Sequence, residues 1–329
     1  MIASTVLGRF ASVAWMIGLA LAAANAAAEE RTYPDRPVRL VVGFSAGGTT
    51  DFMARLLAER LRGPLGQTVI VENRTGANGA IGAEYVARSE PDGYTLYFTT
   101  AGVAVIYPHL RPAPYDTLRD FAPVSLVAFN STMLVVNAAM PVKSAVELAA
   151  LARTAPGKIT IAITALGSVS HLGLALFESA AGVEFQQVPY RGAAPAMTDL
   201  LGGTLNGLFG DGPTVVAQVR AGSIRALAAT SKQRASIFPD VPTFVEQGFA
   251  DTVADQWAGV LAPARTPPEV IGKLNAAIAV ALNDADVHAK LRETGTTAAP
   301  GPVGEFSRYL SDEYTRWGRI IREKSIKAE

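Results

Sequence analysis

One stretch of this sequence gathers residue types able to hold or attack a ligand: Gly43-Phe44-Ser45-Ala46-Gly47-Gly48-Thr49-Thr50-Asp51, between a β-rich segment and a helical one. Glycines in such a turn let backbone N–H groups face a ligand. The start of the following helix adds a positive dipole end, so an anion can be bound without Lys or Arg. Gly43-x4-Gly48 has Walker spacing, but Thr49-Thr50 stand where a lysine is required and no G-x-G-x-x-G is present, which argues against a nucleotide loop. Gly43-Phe44-Ser45-Ala46-Gly47 is a formal G-x-S-x-G that would make Ser45 a nucleophile. It comes before several strands have been laid down, and although His171 could be imagined as a base, nothing completes a triad. The third chemistry is a carboxylate cradle. Gly47, Gly48 and Thr49 would donate N–H groups, Thr49 and Thr50 hydroxyls, and Asp51 would cap or brace the first helical turn. A plain strand–helix turn is the remaining alternative.

The composition narrows the choice. The chain has 329 residues, with 29 basic against 29 acidic side chains, so the basic surplus of a nucleic-acid binder is missing. There is no cysteine, hence no disulfide and no thiol nucleophile, and the three histidines (His109, His171, His288) are too scattered for a His-rich metal site. No cofactor is expected. Residues 1–28 carry one charge, Arg9, then an uncharged, predominantly apolar run from Ala11 to Ala24, then small residues that offer cleavage before Ala27 or after Ala28. This pattern predicts a cleavable secretory signal peptide. The run is shorter than the ~20 residues of a membrane span. The mature chain is expected to be exported, and a periplasm would suit it.

Strand-like and helix-like segments alternate after the leader. Val38 to Val42, Thr68 to Val71 and Tyr94 to Phe98 read as strands, separated by helices carrying Phe52, Leu56, Leu57 and Leu61, and then Ala80 to Ala87. The βαβαβ rhythm predicts a parallel sheet with helices on both faces. It restarts with strands at 133–136, 159–163, 185–188, 205–209 and 224–229, and helices at 144–153, 169–180 and 194–201. A strand at Trp257 to Leu261 and helices at 267–282, 285–294 and 303–322 follow. The simplest arrangement is an α/β protein of two lobes, 29–130 with 253–329 and 131–252, joined by two crossing strands and separated by a cleft.

The motifs carry a family likeness. Tyr33-Pro34-Asp35-Arg36-Pro37, the 43–51 loop, Glu72-Asn73-Arg74-Thr75-Gly76-Ala77-Asn78-Gly79, Pro91-Asp92-Gly93-Tyr94, Val188-Pro189-Tyr190-Arg191-Gly192, Asp199-Leu200-Leu201-Gly202-Gly203 and Pro239-Asp240-Val241-Pro242-Thr243 occur in order along the mature chain. Each alone is weak. Together they resemble the Bug receptors, the TctC-like extracytoplasmic solute-binding proteins of tripartite tricarboxylate transporters. The resemblance implies a two-lobed, Venus-flytrap periplasmic binding fold with parallel or mixed sheets. It also implies a small carboxylate (di- or tricarboxylate, amino acid or aromatic acid) held in the interlobe cleft between two βα loops.

On that resemblance the first jaw is the 43–51 loop, with Phe44, Ala46, Gly47, Gly48, Thr49 and Asp51. The second is Thr164-Ala165-Leu166-Gly167-Ser168-Val169-Ser170-His171, with Thr164, Leu166, Gly167, Ser168 and His171 as candidate contacts. Thr100 and Ala101 end the third strand and fall at the cleft by topology. Arg191 and Gly192 lie in a loop that faces it by analogy, where Arg191 would pair with a second carboxylate or stay solvated. His171 would donate to the ligand or only to its own loop. Two departures bear on the pocket. Ala165 stands where the family usually has glycine, and Gly210 precedes Asp211 where relatives carry an acid directly after Phe. Asp211 would then read a ligand amine or hydroxyl, or cap the turn at Gly212-Pro213. The expected protein is a non-enzymatic monomeric receptor that delivers its ligand to inner-membrane transporter subunits or a sensor kinase. A serine hydrolase using Ser45 is the rival from another class, and a periplasmic co-sensor of the same fold is a further alternative.

Overall fold

A computed structural model of the chain describes residues 33–327 except 191 and 236. The leader expected over 1–28 and the candidate Arg191 lie outside the described residues. The first part of the chain forms β1 (Val38–Val42), α1 (Thr49–Leu65), β2 (Val69–Asn73), α2 (Ala80–Ala87) and β3 (Thr95–Thr100). β1 lies between β2 and β3 and pairs in parallel with both. Such a strand is covered on both faces and so reads as an apolar run. In β1 only Arg39 is exposed, and all six residues of β3 are buried. α1 buries Met53, Leu56, Leu57 and Leu61 at helical spacing. Phe52, expected in that stripe, instead faces solvent at 42% exposure.

Three further strands complete this sheet from a distance. β4 (Phe121–Asn130) was not expected as a strand, because Pro123 interrupts its pattern. It pairs antiparallel with β10 (Gln256–Pro263), and the register shifts between Val260 and Leu261, where Pro123 sits opposite Leu261. A bulge there accommodates a residue with no N–H to give the ladder. With the short β11 (Thr296–Ala298), the order is β11-β4-β10-β3-β1-β2, a mixed sheet.

The second sheet is built from β5 (Thr132–Asn137), α3 (Ala145–Thr154), β6 (Thr160–Ile163), α4 (Val169–Ala181), β7 (Gln186–Pro189), α5 (Ala193–Leu201), β8 (Gly207–Asp211), α6 (Gly212–Arg220) and β9 (Ile224–Ala229). Its order is β7-β6-β8-β5-β9. β6 runs parallel to β7 and β8, while β5 is antiparallel to β8 and β9. α6 replaces the turn expected at Gly212-Pro213. The proline occupies the first turn, where its missing N–H costs nothing.

The helices α7 (Pro268–Leu282), α8 (Ala285–Glu293) and α9 (Val303–Glu323) return to the first sheet. Phe306, Leu310, Trp317 and Ile321 of α9 join a core with Tyr97, Phe121 and Trp257. α4 is buried nearly all round and serves two cores: Leu172 and Leu176 pack into the first, Leu174 and Phe177 into the second.

The chain crosses between the sheets at Ser131 and again over 230–256. Thr230 N and Oγ1 both donate to Thr132 O, Oγ1 also reaches Ala254 O at 2.7 Å, and Ala254 N donates back to Thr230 O. Thr230 is fully buried. Thr230→Val should therefore keep the shape but strand one buried carbonyl, Ala254 O, because Thr132 O keeps the Thr230 N–H. A loss of roughly 1–3 kcal/mol is expected, read as a lower midpoint in denaturant unfolding.

Candidate functional site

Two βα loops face each other, and each is held by side chains behind it. In the first, Gly43 has no room for a side chain, since a Cβ would lie 2.6 Å from Gly79 Cα and from the Tyr97 hydroxyl. That hydroxyl donates to Gly79 O at 3.0 Å. Gly47 adopts φ +84°, and its N–H donates to Asp51 Oδ2 at 2.9 Å. Asp51 is 2% exposed and also accepts from Arg55 Nε (2.9 Å) and Asn73 Nδ2 (2.8 Å), and Asn73 Nδ2 further donates to Phe44 O. Burial pushes the Asp51 carboxyl up, but the hydrogen bonds from Arg55, Gly47 and Asn73 outweigh it and hold the group below the ordinary carboxylate range.

The second loop follows β6. Gly167 sits at φ +74°, and its N–H donates to His171 Nδ1 at 3.1 Å. Ser168 caps α4 by accepting from His171 N, and its hydroxyl donates to Ala165 O. Ser168, Ser170 and Thr164 hydroxyls form a chain with spacings of 2.7 and 2.9 Å. Burial holds the His171 imidazole below its ordinary pKa.

Between the loops lies a cavity of about 760 Å³. The first sheet contributes Gly47, Gly48, Thr49 and Gln256 to it, and the second contributes Thr132, Thr164, Ser168, Ser170, Gly192 and Asp211 among others. An adjoining cavity of about 350 Å³ is lined by Phe44, Thr50, Thr100 and Gly102, and shares Thr164, Ser168, Val169, Gly192 and Gln256 with the first. Four helices begin here. The N-cap residues of α1 (Gly48), α4 (Ser168), α5 (Gly192) and α6 (Asp211) all line the larger cavity. Among the described residues, no Lys or Arg lines either space. The positive potential there comes from helix ends and N–H groups, assisted by Thr and Ser hydroxyls. Asp211 is the one ionisable group on the wall among the described residues. Burial pushes its carboxyl up, against the lowering effect of Thr214, whose hydroxyl donates to it.

Phe44, Gly47, Gly48, Thr49, Thr100, Thr164, Ser168, Gly192 and Asp211 thus line the paired cavities. The other candidates stand elsewhere. Ala46 is exposed outside them, Ala101 is fully buried in the first core, and Leu166 packs against the second. Asp51 and His171 brace the glycines from behind, and the Gly167 N–H is spent on His171. His171 opens instead onto a separate hollow behind α4, so it is not placed as a base for the exposed Ser45. Ser170, read from the sequence as a hydroxyl of the second jaw, also lines the larger cavity, and Thr132, Thr214, Gln218 and Gln256 line it without having been singled out. Gln256 is notable, since its buried Oε1 has no partner among the described residues. The available signal was a polar residue directly before the apolar run Trp257 to Leu261 on a crossing strand.

Comparison with known proteins accords with this architecture. The family described as "Tripartite tricarboxylate transporter family receptor" matches residues 53–326. Protein BugT of Bordetella pertussis is 39% identical over 316 residues, covering 95% of this chain and 97% of BugT. An R. palustris protein solved with adipate is 36% identical, with a TM-score of 0.81 over 90% of this chain and 99% of that one. MatC from Rhodopseudomonas palustris, solved with bound malate, is 30% identical, with a TM-score of 0.78 over 88% of this chain and 100% of MatC.

The Asp51 brace makes a pH-dependent prediction. A carboxyl whose folded pKa is lowered stabilises the fold above its ordinary value of 3.8, and this contribution is lost as pH falls through the folded value. Asp51→Asn should cost roughly 1–3 kcal/mol near neutrality. Urea unfolding of both proteins should show the gap closing in acid below 3.8.

Proposed function

The chain belongs to the tripartite tricarboxylate transporter receptor family, and on that premise we propose that its paired cavities take a small carboxylate over which the two lobes close. The family is one of periplasmic solute-binding proteins of two-lobed α/β fold. The observation that carries the reading is the meeting of four helix N-termini, capped by Gly48, Ser168, Gly192 and Asp211, on a cavity with no lining Lys or Arg among the described residues. That is an anion site made of backbone. The adipate and malate held by two relatives support a ligand of this class.

The lobe assignment is 29–130 with 253–329 against 131–252. It is supported by the first sheet's use of residues 38–130 and 256–298 and the second's of 132–229. Closure is a hinge motion at the crossing segments, and a ligand that touches both walls stabilises the closed state. The receptor passes its ligand to an inner-membrane transporter or a sensor, and reaches the periplasm through a cleaved leader. Binding, not catalysis, is its activity.

Gly47 supplies the test. A Cβ at Gly47 meets nothing within 4 Å, so it would project into open space, while φ +84° disfavours any side chain by ~1–2 kcal/mol. A ligand at about a hundred times its Kd stabilises a receptor by about 2.7 kcal/mol, which a thermal-shift screen of carboxylates reads directly. Gly47→Val should remain folded, with a modestly lower Tm, and lose that ligand-induced shift. Normal carboxylate binding by this variant would refute the cradle. Ser45→Ala should bind as the unaltered protein does, and ester turnover that depends on Ser45 would refute the receptor reading.

A further inference from the structure

The two jaws are built on one plan with one difference. Gly47-Gly48-Thr49-Thr50-Asp51 and Gly167-Ser168-Val169-Ser170-His171 each open with a glycine at positive φ, +84° and +74°. Each continues with an extended N-cap, at φ −82° and ψ 170° for Gly48 and φ −86° and ψ 167° for Ser168. In each, the side chain four residues after the glycine accepts the glycine N–H: Asp51 Oδ2 at 2.9 Å, His171 Nδ1 at 3.1 Å. This latch sets the left-handed turn that aims the cap and the first helical N–H groups at the cavity. The acceptor differs. Asp51 is a carboxylate at any pH near neutrality, whereas an imidazole Nδ1 accepts only while it carries no proton.

We propose that His171 is the positioning residue of the second jaw, and that protonation of its Nδ1 unlatches Gly167 and releases a bound carboxylate in acid. This rests on the carboxylate reading of the cavity. With Nδ1 accepting, the ring proton belongs on Nε2. The ring borders a hollow of about 950 Å³ on the side of α4 away from the ligand cavity. The charged groups around that hollow are Arg153 of α3, Glu178 of α4, Glu184 beyond it, Glu323 of α9, and Lys324 and Lys327 after it. Three acids face three bases, so no net charge fixes the ring's state. Burial sets it, and holds the imidazole neutral down to a pH below the ordinary 6.5. The latch is therefore closed at neutral pH and is lost as pH falls through the ring's folded pKa. Asp211 on the cavity wall acts in the opposite sense, because its protonation removes a negative charge facing the anion. Loss of affinity in acid would thus be the mark of His171 and not of Asp211.

Adipate binding to the full mature chain, measured by calorimetry at about pH 7.5 and again below the midpoint of the His171 ring's own titration, tests this on the unaltered protein, His171→Asn and His171→Leu. The unaltered protein should weaken in acid by about tenfold more than His171→Asn does, one pKa unit of coupling being tenfold, while adipate's own protonation weakens both alike. His171→Asn places Oδ1 where Nδ1 stood and does not titrate, so it should rescue binding at neutral pH relative to His171→Leu and lose less affinity in acid than the unaltered protein. His171→Leu should bind poorly at both. An equal acid loss in the unaltered protein and in His171→Asn, or full affinity in the leucine variant, would overturn the proposal. A readout independent of ligand is the ¹⁵N spectrum, in which the Gly167 amide should titrate together with the His171 ring. A Gly167 amide indifferent to that titration refutes the latch even if the leucine variant does not fold. Failure of the whole carboxylate panel to bind at neutral pH would instead refute the carboxylate reading, and the Gly167 amide would still decide the latch.

Discussion

An anion removed from water must find replacement partners, and this cleft offers it no lining lysine or arginine among the described residues. Among the described residues, backbone N–H groups at helix starts supply the field for the carboxylate proposed above, and their placement follows from where the strands end. β7, β6 and β8 are adjacent and parallel, so the helices that follow them, α5, α4 and α6, all begin along one edge of the second sheet. α1 begins at the corresponding end of β1 in the first sheet. A parallel sheet gathers helix N-termini at its carboxyl edge, and two such edges facing each other build the site.

Aligning those N–H groups is a separate task from supplying them, and it falls to residues that never reach the cavity. Asp51 and His171 hold the glycines, Asn73 ties Phe44 O to Asp51, and Tyr97 pins Gly79 against Gly43. This division explains which parts of the site the sequence disclosed. Gly47, Gly48, Thr49, Thr164 and Ser168 were legible because glycine and hydroxyl residues at a strand–helix junction have few other uses. The sequence reads Asp51 both as a brace of its turn and as a ligand contact, and leaves His171 between the two, since a side chain three residues into a helix can turn toward a ligand or back onto its own loop. The sequence pattern does not distinguish the two.

The fold was legible for the same local reason and obscure where pairing is remote. Strands covered on both faces, such as β1 and β3, announce themselves as apolar runs, and α1 and α9 as helical stripes. β4 was hidden by Pro123, which is tolerated because β4 itself bulges beside it at Val124. α6 was hidden by Gly212-Pro213, which read as a turn. Thr132 and Gln256 belong to the crossing strands, and which side chain of a strand faces the cavity depends on its parity. Trp257 turns into the core and Gln256 into the cleft. A shift of one residue would exchange them.

α4 links the site to the rest of the molecule. Its first turn is the second jaw, yet Leu172 and Leu176 are sealed in the core of the first sheet while Leu174 and Phe177 are sealed in that of the second. Each buried leucine contributes about 1.5–3 kcal/mol relative to exposure. A hinge rotation that tore α4 from the first sheet would forfeit two of them, more than most single contacts to a small ligand could return. For the closure proposed above, the cheaper motion would keep this contact as the pivot and swing the remaining walls, carried by α5 and α6, toward α1. The jaw nearest the pivot then moves least. Its precision would then depend less on closure than on the hydrogen bonds of its own loop, among them the one from Gly167 N–H to the His171 imidazole, which is the physical basis for the leverage proposed for that ring.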